Sequence, residues 1–213
     1  MPNVTRNFLT ISDISEETWI EIAATFTQRE ATFLTKFVPD GALGFESACE
    51  HWGTKCDVYE VQEDFSRQAP SSIFSAHFDT ANGTLNKSCL EILSRRFSGA
   101  TIVNICVCEM WEYAEIHVAK HGITMGYSCS ENELVSLKKS SHEGVPDLKL
   151  PVDPENFSME CFKADFAQWL HNYREPYRRA QQYLLARAQV LQQEMEDTRV
   201  LEIQPSKKMN TAF

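Results

Sequence analysis

Thr101-Ile102-Val103-Asn104-Ile105-Cys106-Val107-Cys108 is the clearest strand in the chain, because β-branched and apolar residues fill it almost without interruption. Its neighbours decide what kind of sheet it joins. Just before it, Leu90, Leu93 and Phe97 recur at helical spacing within residues 88–97, and Gly99 suits the end of that helix. Asn82-Gly83 separates this helix from an earlier strand, Ser72 to Phe78, which carries Ile73, Phe74 and Phe78. Trp52 to Gln62 alternates in part through Cys56, Val58 and Val61, and the polar stretch from Glu63 to Pro70 reads as the turn between two antiparallel strands.

Further towards the N-terminus, Phe8-Leu9-Thr10-Ile11 is β-prone. Ser15 is placed to cap a helix whose first turn holds Glu16 and Glu17. Trp19, Ile22, Ala23 and Phe26 give that helix one apolar face. Residues 28–50 read as a loop insertion, with a turn at Pro39-Asp40-Gly41 and a short helix from Phe45 to Glu50. The order β-α-β-β-α-β predicts an α+β, ferredoxin-like antiparallel sheet with two helices on one face. Glu112 to Val118 and Ile123 to Cys129, joined by Lys120-His121-Gly122, predict an added hairpin.

The expected organisation is a ferredoxin-like domain over residues 1–130, then a linker with a short helix over 131–157, where Gly144, Pro146, Pro151 and Pro154 fall. A helical C-terminal extension follows over 158–203 and a frayed tail over 204–213. In the extension Phe162, Phe166, Trp169, Leu170 and Tyr173 recur at helical spacing up to Pro176, and Leu184, Ala188, Leu191 and Met195 form the next apolar stripe. That second stripe is either a homodimer seam or a face docked on the sheet, since both bury the same side.

With 43% hydrophobic and 23% charged residues over 213 positions, the chain is long and apolar enough to bury a core. A formal charge of -10 argues against non-specific attachment to nucleic acid or anionic membrane. The first residues hold no apolar leader and no run is long enough to span a bilayer, so a cytoplasmic protein is expected. Seven scattered cysteines without a CxxC pair indicate neither a disulfide framework nor a zinc ribbon. Cys106 and Cys108 lie on a strand near His117 and His121, but that spacing does not converge on one ion, so no metal or other cofactor is expected. No phosphate-binding loop, HExxH or GxSxG pattern is present, and the chain reads as a non-enzyme.

Two groups of residues are the candidate sites. Glu109, Trp111, Glu112, Tyr113 and Glu115 place aromatic rings among acids, a composition suited to a basic protein partner. His51, Trp52, Lys55, Asp57 and Asp79 form either a small polar pocket at the strand ends or a packed strand start whose charges meet across a hairpin. Phe74 and Phe78 keep base stacking on the sheet open as a further use.

Met1-Pro2-Asn3, Asn7-Phe8-Leu9-Thr10-Ile11, Phe37-Val38-Pro39, His51-Trp52-Gly53-Thr54-Lys55 and Phe78-Asp79-Thr80-Ala81 occur in this order in the chain. In that respect residues 1–129 resemble the Api92-like (YubB-type) family, small ferredoxin-like proteins of phages, plasmids and enteric bacteria. The chain departs from the family pattern at Cys56, where a second Trp is usual, and at Asn82-Gly83, where a Trp-Ser-Pro-Pro-like run is usual. The resemblance implies a fold and a mobile-element setting, and no reaction. The function expected from these readings is an accessory protein of a phage or plasmid, in the host cytoplasm, that binds and inhibits a host or defence protein. The alternative is a nucleotide- or RNA-binding module around Lys55 and Asp79, with nucleic acid disfavoured by charge. A weaker one is a metal-dependent hydrolase using Asp57, Asp79 or Glu109.

Overall fold

In β1 (Val4–Ser12) every second residue is buried, with Thr5, Asn7, Leu9 and Ile11 on one face and Arg6, Phe8 and Thr10 on the other. The computed structural model describes residues 4–27, 31–108, 112–142 and 184–197. The other strands are β2 (Ile73–Ala81), β3 (Thr101–Cys108), β4 (Ala114–Lys120) and β5 (Ile123–Ser128), all antiparallel to their neighbours in the order β2-β1-β3-β4-β5. The molecule is therefore α+β, a five-stranded antiparallel sheet with helices. All eight residues of β3 are buried, as its apolar composition predicts for a strand with two neighbours and two covered faces.

One face carries α1 (Glu16–Phe26), the short α2 (Phe33–Phe37) and α3 (Phe45–His51), and α4 (Lys87–Arg96). Ser15 caps α1 as expected, its Oγ accepting from Thr18 N at 3.2 Å, and Trp19, Ile22, Ala23 and Phe26 are all buried. Asn86 caps α4 in the same way, its Oδ1 accepting from Cys89 N at 2.8 Å. The core under these helices is rich in rings: Phe26 lies 5.0–5.8 Å, centroid to centroid, from Phe33, Phe65, Phe74 and Phe78.

The opposite face has a separate core. Val103, Ile105 and Val107 of β3 pack with Ala114, Ile116 and Val118 of β4 beneath Leu184, Ala188 and Leu191. Those three residues come from α6 (residues 184–197), with Met195 half-buried at its end. The C-terminal stripe thus docks on the sheet of its own chain. Of the expected linker, residues 131–142 form α5 (Glu131–His142). The rest of it, the Phe162–Tyr173 pattern and the tail lie outside the described residues.

One expected strand is absent. Trp52 closes α3, residues 53–57 turn, and only Tyr59 makes an isolated bridge, to Asp79. Gly53 at φ 82° and Glu60 at φ 49° leave the extended region at both ends of the segment, so its partial alternation never becomes a ladder. The hairpin expected at Lys120-His121-Gly122 is present. His121 at φ 52° and Gly122 at φ 79° make a two-residue turn with both residues left-handed, the type whose twist suits paired strands.

Candidate functional site

The segment from His51 to Tyr59 is fastened to its surroundings by nearly every residue. Trp52 is buried, and its indole Nε1 donates to Val38 O at 2.7 Å. Its ring lies flat on Gly41, where an added Cβ would come within 2.1 Å of Nε1. Gly53 passes so near the 84–86 backbone that a Cβ would sit 2.4 Å from Thr84 O. Asn86 N donates to Trp52 O at 3.0 Å and Asn86 Nδ2 to Glu50 O at 2.7 Å, tying the same crossing from the other side. Thr54 Oγ1 both donates to Ala81 O and accepts from Ala81 N, each at 3.1 Å.

The charges of this segment diverge. The Lys55 ammonium stands over the exposed Phe45 ring, 5.4 Å from its centroid. Asp57 is a backbone clamp: its carboxylate accepts from Leu34 N at 2.9 Å, Thr35 N at 2.7 Å and Val58 N at 2.8 Å, capping the first turn of α2. Asp79 points to the other face of the sheet, 3.9 Å from the Arg6 guanidinium. Lys55, Asp57 and Asp79 therefore do not line one pocket, Trp52 is core, and His51 is half-buried at the end of α3. Phe74 and Phe78 are core residues too, so neither ring is presented for stacking.

The acidic, aromatic group after β3 is divided as well. Glu109 and Trp111 lie outside the described residues. Glu112 is exposed. Tyr113 turns inward, its hydroxyl 2.5 Å from Thr5 Oγ1, and burial pushes its pKa up to about 12. Glu115 accepts from Ser128 Oγ at 3.0 Å and lies 3.9 Å from His117 Nε2.

Two arrangements went unread in the sequence. The first is a polar network on the helix-covered face. Thr5 O can only accept, so Asn7 must turn its Nδ2 towards it, at 3.1 Å, and towards Thr80 Oγ1 at 2.8 Å. Asn7 Oδ1 then receives Thr84 Oγ1 at 3.1 Å and Asn104 Nδ2 at 3.2 Å. Asn104 and His117 are cross-strand partners, and among the described residues no hydrogen bond meets Asn104 Oδ1 or His117 Nδ1, both of which are buried. The His117 ring lies over Gly126, where a Cβ would meet its Cδ2 at 2.5 Å. Cys106 shares this face, and burial raises its thiol pKa to about 12, which keeps it protonated and unreactive. Among the described residues no group of three or more His, Cys, Asp or Glu is placed to hold a metal ion.

The His117 imidazole pKa is lowered, by burial first and against the opposing pull of Glu115. A lowered imidazole is neutral in the fold and protonates first in the unfolded chain. Its contribution is complete above the ordinary value of about 6.5 and is lost as pH falls through the folded value. Melting of the wild-type protein at pH 7.5 and 5.5 is expected to show a larger acid-side fall than melting of His117→Gln. Equal falls would remove His117 from this role.

The second arrangement is an exposed apolar tip. Pro39–Leu43 forms a 3₁₀ turn, and Leu43 and Phe45 flank Gly44 with 84% and 59% of their surface exposed. Both sit on a base held by Trp52 on Gly41 and by Ser47 Oγ donating to Asp40 O at 2.5 Å. Asp40, Glu46 and Glu50 are exposed around them. The signal in the sequence was the Leu43-Gly44-Phe45 triplet inside an otherwise turn-like insertion. Nothing local to it says which apolar residues face outward.

Comparison of the chain with family models, with curated proteins and with solved structures gives no match in any of the three. Among the described residues, no helix is long and apolar enough to cross a membrane.

Proposed function

We propose that this protein is a non-enzymatic binding module that docks on another protein through the Leu43–Phe45 tip. The observation that carries the reading is the tip's construction: two large apolar side chains are held outward on a base anchored by a buried tryptophan. Preorganised apolar anchors lose little conformational freedom on binding and are what interface hot spots are made of. Asp40, Glu46 and Glu50 around the tip favour a partner whose apolar pocket has a largely basic rim, with an acid where Lys55 stands over the Phe45 ring. The acidic surface is thus retained from the sequence reading, and its centre moves from Glu109–Glu115 to residues 40–50.

The phage or plasmid setting, and inhibition of a host or defence protein, rest on the family resemblance of residues 1–129. A ferredoxin-like reading of the fold is supported by β1 lying between β2 and β3 with α4 as the crossover. It is also supported by residues 54–62 running along the outer edge of β2, where a fourth ferredoxin strand would lie. Lys55 N donates to Ala81 O, Tyr59 and Asp79 exchange backbone bonds, and Gln62 N donates to His77 O.

Tagged wild-type protein and the double variant Leu43→Ser/Phe45→Ser are to be compared for capture from host lysate and for melting temperature. A specific protein captured by wild type is expected to bind the variant at least about 30-fold more weakly, two lost anchors costing about 2 kcal/mol or more together. The melting temperature should change little, because Leu43 is almost wholly in water and Phe45 gives up only a partial burial and its contact with Lys55. A partner that binds both proteins equally would move the interface elsewhere.

A further inference from the structure

The two edges of the sheet are treated differently. The outer edge of β2 is sealed by the 54–63 segment through the bonds of Thr54, Lys55, Tyr59 and Gln62, and by Glu63 Oε2 accepting from His77 N at 2.8 Å. Among the described residues no comparable set of hydrogen bonds reaches β5, along which Gly126 and Ser128 are exposed and Thr124 is buried. The two-residue turn makes Lys120 and Ile123 a hydrogen-bonded pair, and bonded pairs then recur at every second position. Cys129 N donating to Ala114 O at 2.9 Å fits that phase. Ile123, Met125 and Tyr127 therefore spend their backbone groups on β4, while Thr124, Gly126 and Ser128 aim theirs outward. Among the described residues no hydrogen bond from another segment meets those outward groups.

Natural edges are usually protected by lysine, proline, a bulge or a covering element. The sequence of β5, Ile123-Thr124-Met125-Gly126-Tyr127-Ser128, has no charge and no proline. In a protein of net charge -10 such a strand brings no charge of its own to a second copy, and the acids beside it are each near a basic residue, Glu115 3.9 Å from His117 and Glu133 3.9 Å from Arg187. We propose that β5 pairs with β5 of a second copy, antiparallel about a two-fold axis through Gly126, to give a continuous ten-stranded sheet.

The register follows from the outward groups. Gly126 faces its own equivalent as a bonded pair, and Thr124 faces Ser128 of the second copy, so all outward donors and acceptors find partners. Met125 then lies opposite Tyr127 of the second copy in a close, non-bonded pair that suits a thioether–ring contact. Ile123, 53% exposed in one copy, lies opposite Cys129 of the other.

The last pairing supplies the test. Within one chain residues 123 and 129 are about 20 Å apart along an extended strand, too far for a disulfide. An Ile123→Cys variant, oxidised mildly, is expected to give a 123–129 disulfide between copies, identified by peptide mapping and abolished by adding Cys129→Ser. Sedimentation of the wild-type protein is expected to show a dimer at tens of micromolar. Ser128→Pro, which removes an outward N–H and leaves the β4 ladder intact, should weaken that dimer at least tenfold. A wild-type protein that stays monomeric and an Ile123→Cys variant that forms no 123–129 link would overturn the proposal. So would a dimer that Ser128→Pro leaves unchanged.

Discussion

Trp52→Ala is expected to lower stability by about 3–5 kcal/mol, the range for deleting a buried aromatic ring. For a chain of this size that is on the order of 10 °C in melting temperature. Three losses coincide at the site. The ring leaves a cavity between α3, Val38 and the β2–α4 connection; Val38 O loses the indole donor held at 2.7 Å; and Gly41 loses the surface it packs on. Trp52→Phe keeps most of the packing and removes only the donor, so it should cost about 1–3 kcal/mol. Because the tip rests on the same ring, Trp52→Ala should also open residues 39–50 to limited proteolysis in the still-folded protein. A Trp52→Ala protein that melts within 2 °C of wild type would show that the insertion is held by something else.

Asn7→Leu tests the polar half of the helix-covered face. Leucine keeps the branched skeleton of the side chain but is bulkier, so the lost hydrogen bonds come with some overpacking. The substitution removes four bonds among Thr5, Asn7, Thr80 and Asn104, all at most 1% exposed, and Thr84; Thr80 Oγ1 keeps Gly83 O at 2.6 Å, and Asn104 Nδ2 keeps Thr84 Oγ1 at 3.2 Å. Each lost bond is worth about 1 kcal/mol net, so a loss of at least about 2 kcal/mol is expected in chemical denaturation. Asn7→Asp should be no better. It keeps the shape but brings a carboxylate against Thr5 O, an acceptor that needs a donor. A loss below 1 kcal/mol for Asn7→Leu would mean that the network is dispensable to the fold.

Much of the fold was legible because its signals are local. The eight apolar residues of β3, the Ser15 cap with Trp19, Ile22, Ala23 and Phe26 behind it, and the His121-Gly122 turn each fix a backbone shape by short-range chemistry. The segment 52–62 misled for the same reason. Its partial alternation is a strand signal, but Gly53 is committed to a close crossing with residues 84–86, which no pattern within 52–62 records. Of the candidate site, the sequence located the residues and not their directions. Lys55, Asp57 and Asp79 are close in the chain or across the sheet, yet one reaches a ring, one clamps three amides and one faces the opposite side.

What the sequence determined by itself, then, is the set of elements: strand, helix and hairpin chemistry, an acidic surface, and a tryptophan-glycine-threonine segment that had to matter. Tertiary structure decided the rest, since which side of an element is outward depends on what arrives from elsewhere in the chain. Residues 54–63 seal β2, α6 covers the face of β3 and β4, and Trp52 on Gly41 turns Leu43 and Phe45 towards water.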